Sequence, residues 1–223
     1  MSAEHPRALA HHFDDLTQQH AAGVLGMWAF LTTEVLLFGA LFTGYTVYRI
    51  KYADVFAAAS GHLDIRLGTV NTAILISSSL TMALAVFFAQ AGRRRLTLAF
   101  LGLTMVLGLV FLGIKAFEWT HDYHEGLVPA VNFTAARWEQ AGLNARHAQL
   151  YFSLYFLMTG LHALHMVVGL GVMIWIAARA ARNEFSAEYY TPVELMGLYW
   201  HFVDIVWIFL FPLFYLIGTR ATF

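Results

Sequence analysis

The chain has no cysteine, and only 12% of its 223 residues are charged. The first absence removes disulfides, thiolate metal sites and iron–sulfur clusters, and leaves the redox compartment open. The second leaves too little charge to solvate a soluble domain of this length. Acid and base nearly cancel, to a formal net charge of -1, so the basic excess of a nucleic-acid binder is missing. Residues 1–22 have neither the basic n-region nor the apolar core of a secretory signal, so the first apolar run is expected to stay in the mature protein. No internal repeat is detectable.

What fills the chain is apolar: 59% hydrophobic and 16% aromatic residues. That composition describes a polytopic membrane protein, with Trp and Tyr gathering at the bilayer interfaces. Five stretches, at about 23–48, 70–91, 96–120, 150–178 and 194–218, each exceed the roughly 20 residues that cross a 30 Å hydrocarbon core. Each must be helical, because an open strand leaves its backbone unsatisfied in lipid. The expected fold is therefore an all-α membrane protein, a bundle of five transmembrane helices over residues 23–223. A polar tail or interfacial helix over residues 1–22 precedes it and carries His5, His11, His12 and His20. Gly92 and Arg93 to Arg95 leave so short a gap that the second and third spans must form an antiparallel hairpin. The one long loop runs from Gly126 to about His147. An odd number of spans puts the termini on opposite sides. Basic residues divide equally between the two faces, and the dense cluster at Arg93 to Arg95 favours a cytoplasmic N-terminus.

Polar residues inside the spans carry the chemistry. Glu34 sits in the middle of WAFLTTEVLLFGALFTGY, where its helical neighbours Phe30, Leu31, Leu37 and Phe38 cannot answer its charge. A buried acid must be neutral, paired or beside water, so a partner is expected on another helix. The fourth span offers His162 and His165, and the fifth offers His201 and Asp204. Counted from the same face, Glu34 is about eleven residues deep and His165 about twelve, less than one turn apart. His162 lies about fifteen deep and His201 about eight. Asp204 matches in depth but would set a second acid beside the first. Depth thus selects His165 for Glu34, with His162 and then His201 behind it. The competing expectation is a protonated Glu34 bonded only to backbone or hydroxyl groups.

Lys115 and Glu118 lie three apart on one face and should pair at the membrane boundary. His121, Asp122, His124 and Glu125 leave a helix in different directions, which reads as a wet helix end, with no metal site expected. Ser77 to Ser79 suit helix packing and bonds to their own backbone, and Gly160, Gly169 and Gly171 suit close helix contact. Arg179, Arg182 and Arg220 end spans, where basic side chains meet anionic headgroups. Three function classes fit these residues: a supporting subunit of a larger membrane complex, a haem-binding electron carrier using two deep histidines, and a small proton-coupled transporter. The last lacks the broken helices or repeated halves of a midplane substrate site.

Four runs, TTEVLLFGALF, LGTVNTAILISSSLT, TGLHALHMVVGLGVMI and WHFVDIVWIFLF, together with Glu118 at the end of the third span, fall in order along the five spans. In these the chain resembles subunit III of the haem-copper cytochrome c oxidases, and Glu34 takes the position of that family's carbodiimide-reactive intramembrane carboxylate. The resemblance implies a subunit with no catalytic residue, haem or copper of its own, those cofactors lying in partner subunits. It implies packing on the catalytic subunit I beside subunit II and other oxidase chains, bound phospholipid, support of proton uptake and durable turnover, and a bacterial plasma membrane. The longer form of the family has seven spans, and the match here begins at its third. The electron donor is read on other chains; cytochrome c is expected, with a quinol oxidase subunit or a nitric oxide reductase accessory protein as alternatives.

Overall fold

The computed structural model describes residues 9–218. Five long helices, α1 (Leu16–Lys51), α3 (Ile65–Gln90), α4 (Arg94–His124), α6 (Ala145–Ala181) and α7 (Thr191–Tyr215), are each long and apolar enough to cross a membrane. Two short helices, α2 (Ala53–Ser60) and α5 (Ala135–Gln140), join them. The described residues contain no strand.

Local sequence sets where each helix begins. The side chains of Asp15, Asp64 and Asn144 accept from the backbone N–H groups of Gln18, Arg66 and Arg146 at 2.7, 2.8 and 3.0 Å, satisfying donors that the first turn leaves free. Because Asp15 caps α1, the first helix starts within the polar tail, and its 36 residues extend about 54 Å. Between α3 and α4 the chain reverses through Gly92 at φ +66°. The N–H of Arg93 donates to the Phe88 carbonyl at 2.8 Å and that of Gly92 to Ala89 at 3.0 Å. This pair of bonds closes a Schellman turn, for which glycine supplies the left-handed residue. Arg94 then donates through Nε to the Ala180 carbonyl at 2.9 Å, and through Nη2 to Ala181, capping the end of α6.

α7 is the centre of the bundle. It packs on α3, α6 and α1, while α4 closes against α3 and α6. Trp200 and Trp207 are fully buried, and their indole N–H groups donate to Ser78 Oγ at 2.8 Å and Thr72 Oγ1 at 3.1 Å on α3. Two of the three serines expected to bond their own backbone therefore reach across to α7, since Ser79 also meets His201. α1 is peripheral, burying only Leu31, Phe38 and Tyr45.

The segments outside the five expected spans fold back as a cap. α2 buries Val55, Phe56, Ala59 and Ser60, and α5 buries Trp138 against Phe133 and Phe152. The cap has a second job at the C-terminus of α7, whose last carbonyls have no helical donor. Ser60 Oγ donates to the Phe214 carbonyl at 2.6 Å, Tyr151 to the same oxygen at 2.8 Å, and Tyr45 to the Leu213 carbonyl. Three elements thus satisfy one helix end.

Candidate functional site

Glu34 on α1 and His165 on α6 meet at 3.0 Å, Oε2 to Nε2, each side chain 14% exposed. The partner is the residue that depth selects. His165 Nδ1 lies 2.7 Å from the carbonyl of Leu161 in its own helix. A carbonyl can only accept, so Nδ1 carries a hydrogen. Nε2 is then an acceptor facing a protonated Glu34, or a donor facing its carboxylate. Either way one proton occupies the contact, a cheap arrangement at mid-membrane because no lone charge results. Phe38 covers the imidazole, with ring centroids 5.5 Å apart. The Tyr199 hydroxyl donates to the His165 carbonyl at 2.9 Å and ties α7 to the same turn.

His162 does not join that pair. Its ring is buried between Phe111 and Trp207, at centroid distances of 5.4 and 5.3 Å, and neither nitrogen has a hydrogen-bond partner. His201 bonds Ser79 Oγ through Nδ1 at 2.7 Å, away from Glu34. Asp204, one turn further along α7, is 3% exposed, and Ser79 of α3 is the side chain placed to bond it.

Lys115 and Glu118 pair at 3.0 Å as their spacing requires, and both are buried. The pair is the centre of a larger cluster. Lys115 Nζ also donates to Tyr155 at 2.8 Å and Tyr215 at 2.5 Å, so all three ammonium hydrogens are used. Tyr215 donates to Glu118 Oε1 at 2.6 Å, and the Tyr155 hydroxyl lies 3.1 Å from Glu118 and 3.3 Å from Asp122. Tyr155 comes from α6 and Tyr215 from α7, each far from α4 in sequence. No local spacing announces them, though a buried lysine needs more acceptors than one carboxylate supplies.

The helix end beyond this cluster divides as its geometry demands. Asp122 turns inward to Tyr155, while Glu125 is exposed and bonds Arg137 at 3.0 Å. Among the described residues no three His, Cys, Asp or Glu side chains converge on one point. Of the basic residues at span ends, Arg179 bonds Glu184 at 2.6 Å and lies 4.7 Å over Trp175, so its charge is answered within the chain. Arg182 is exposed at the C-cap of α6, and Arg220 lies outside the described residues. The three glycines of α6 differ. A Cβ on Gly169 would stand 2.9 Å from Tyr199, one on Gly160 only 3.9 Å from Trp119, and one on Gly171 would meet nothing within 4 Å. Gly171 therefore makes no close helix contact, because it faces outward.

Residues 10–219 match the family model of cytochrome c oxidase subunit III. A protein of Staphylococcus haemolyticus named probable quinol oxidase subunit 3 is 29% identical over 207 residues, covering 92% of this chain and 94% of its own. A Staphylococcus saprophyticus protein of the same name is 29% identical over 211 residues, covering 94% and 96%. One from Staphylococcus aureus is 28% identical over 207 residues, covering 92% and 94%.

Proposed function

The chain belongs to the cytochrome c oxidase subunit III family, and on that premise we propose that it is the non-redox supporting subunit of a respiratory haem-copper oxidase. The observation that carries this reading is the family match across all five spanning helices, with Glu34 and His165 paired inside them. In this role the chain packs on the catalytic subunit beside subunit II, holds no haem or copper, and binds phospholipid along its lipid-facing helices, with Arg182 at headgroup level. Glu34 and His165 hold a proton between them without creating a lone charge, which suits a subunit that supports proton uptake next door. The names of the staphylococcal relatives favour quinol as electron donor, and the family description favours cytochrome c. Those relatives also support a bacterial plasma membrane, and the dense basic cluster at Arg93 to Arg95 supports a cytoplasmic N-terminus on its side.

Purification of the intact complex through a tag on this chain tests the reading. The expected result is co-purification of a haem-copper catalytic subunit with its visible spectrum, and oxygen consumption with quinol or with cytochrome c, which identifies the donor. Removing this chain should leave the first turnovers intact and shorten the period over which activity lasts. Stoichiometric haem on the isolated chain, or no activity from the first turnover in its absence, would overturn the proposal.

A further inference from the structure

The buried cluster of Lys115, Glu118, Asp122, Tyr155 and Tyr215 holds one more acid than base, and its hydrogens can be counted. Lys115 Nζ donates to Glu118 Oε2, to Tyr155 and to Tyr215, and three donations need the ammonium form. Glu118 receives that bond on Oε2 and the Tyr215 hydrogen on Oε1 at 2.6 Å, so it is the carboxylate that balances Lys115. Asp122 is left over. Its Oδ2 lies 3.3 Å from the Tyr155 hydroxyl, which also lies 3.1 Å from Glu118 Oε1, and one phenol hydrogen cannot serve both acids. Were Asp122 ionised, two anions would face one cation among residues each 2% exposed, and an uncompensated buried charge is costly. The groups facing Asp122 from the packed helices do not answer it. Tyr151 and Tyr155 of α6 and Tyr215 of α7 are phenols, and Lys115 is already balanced. His121 on its own helix is exposed, where water screens its charge. Asp122 also stands in the last turn of α4, where the negative end of the helix dipole opposes a carboxylate.

We propose that Asp122 carries a proton and donates it to the Tyr155 hydroxyl, which makes the cluster an electroneutral proton-holding site at the loop end of α4. Every group is then satisfied. The Tyr155 oxygen, with two lone pairs, accepts from Lys115 and from Asp122, and its own hydrogen goes to Glu118. Loss of the proton reverses that arrangement, because the Tyr155 hydrogen must turn from Glu118 to Asp122 and a second anion then stands between α4 and α6. The junction of these two helices is therefore tight with the proton bound and looser without it. None of this depends on which oxidase the chain serves, since the count involves only groups of this chain.

Isotope labelling isolates Asp122, because the chain has only six aspartates. Asp14, Asp15, Asp54 and Asp64 are exposed and ionised at pH 6, well above the ordinary aspartate pKa of about 3.9. Asp204→Asn removes the other buried one. The full-length Asp204→Asn chain, purified in detergent with aspartate carrying carbon-13 in its side-chain carboxyl, is compared by infrared absorption at pH 6 with the same chain unlabelled. The expected result is a protonated-carboxyl C=O band that the label moves to lower frequency. Adding Tyr155→Phe, which removes the acceptor of the Asp122 hydrogen, should move that band to higher frequency. In the otherwise natural chain, Asp122→Asn should remove the same band and leave the melting temperature close to its starting value, since the amide still donates to Tyr155. This last comparison needs neither Asp204→Asn nor Tyr155→Phe to fold. No label-sensitive band at pH 6, a band that Tyr155→Phe leaves in place, or one that survives Asp122→Asn overturns the proposal.

Discussion

Glu34 and His165 are 131 positions apart in sequence and 3.0 Å apart in the bundle, and the Leu161 carbonyl settles which nitrogen of His165 is free to face the acid. Because Nδ1 is committed as a donor, the Glu34 contact needs exactly one hydrogen, contributed from either side.

That requirement makes the amide a better replacement than it usually is for a carboxylate. In Glu34→Gln the side-chain NH₂ donates to His165 Nε2, so thermal stability in detergent should stay close to that of the natural chain. Glu34→Ala leaves a buried imidazole nitrogen unsatisfied and should cost about 1–3 kcal/mol. In His165→Ala the carboxyl infrared band of Glu34, assigned through its loss in Glu34→Gln, should shift in frequency. An unmoved band would show that the two groups do not share a proton.

Lys115 is the second test of buried charge. Lys115→Met leaves Glu118 and Asp122 facing two tyrosines with no cation, and breaking a buried pair in this way costs about 3–5 kcal/mol. Removing both charges, as Lys115→Met with Glu118→Leu, should recover most of that loss, because an apolar replacement of a buried pair is often near neutral. Thermal unfolding of the three forms in one detergent measures the order. If the double variant is no more stable than the single, Asp122 and the tyrosines carry the cost.

The parts of this architecture that were legible in the sequence are those set by one strong local rule. Five apolar runs had to be five helices, Gly92 had to turn α3 into α4, and Lys115 had to meet Glu118 three residues on. Glu34 found His165 because depth along two helices is countable. What stayed hidden depends on helix rotation and on distant side chains. Ser78 and Ser79 bond α7 because their faces point there, and Tyr155 and Tyr215 reach Lys115 from helices far away in sequence. α2 and α5 were hidden for a different reason. Each has at most eight residues, too short for periodicity to declare a helix, and they are held by burial of Phe56 and Trp138.

Helix rotation also separates glycines that look alike on paper. Gly169→Ala would push a methyl group to 2.9 Å from Tyr199 and 3.1 Å from Trp200, both part of the packed α6–α7 contact. Overpacking of this kind costs about 1–3 kcal/mol. Gly171→Ala meets nothing within 4 Å and should leave stability unchanged or slightly raised through better helix propensity. Equal melting temperatures for the two variants would mean that α6 and α7 do not approach through Gly169.

Acid should loosen the cap, and His62 is the reason. Its ring packs edge-on against Trp138 at 5.1 Å, half-buried between α2 and α3. Burial pushes its pKa below the ordinary imidazole value of 6.5, and the charge of Arg137 pushes the same way, against a smaller opposing pull from Glu125. Above about pH 6.5 the imidazole is neutral whether the cap is closed or open, and the packing contributes in full. As pH falls below that value the opened segment takes up a proton that the closed one refuses, so closure weakens until the folded pKa is passed. Glu125 does not blur the window, because its bond to Arg137 holds its carboxyl below the usual 4.5 and the pair stays charged. Amide hydrogen exchange over Ala135–Gln140 should therefore quicken, relative to the intrinsic rate at each pH, as the protein is taken from pH 7.5 towards 5.5. In His62→Phe, which keeps a ring against Trp138 and cannot titrate, that extra exchange should vanish. Protection that grows on acidification, or a pH dependence that survives His62→Phe, would remove His62 as the cause.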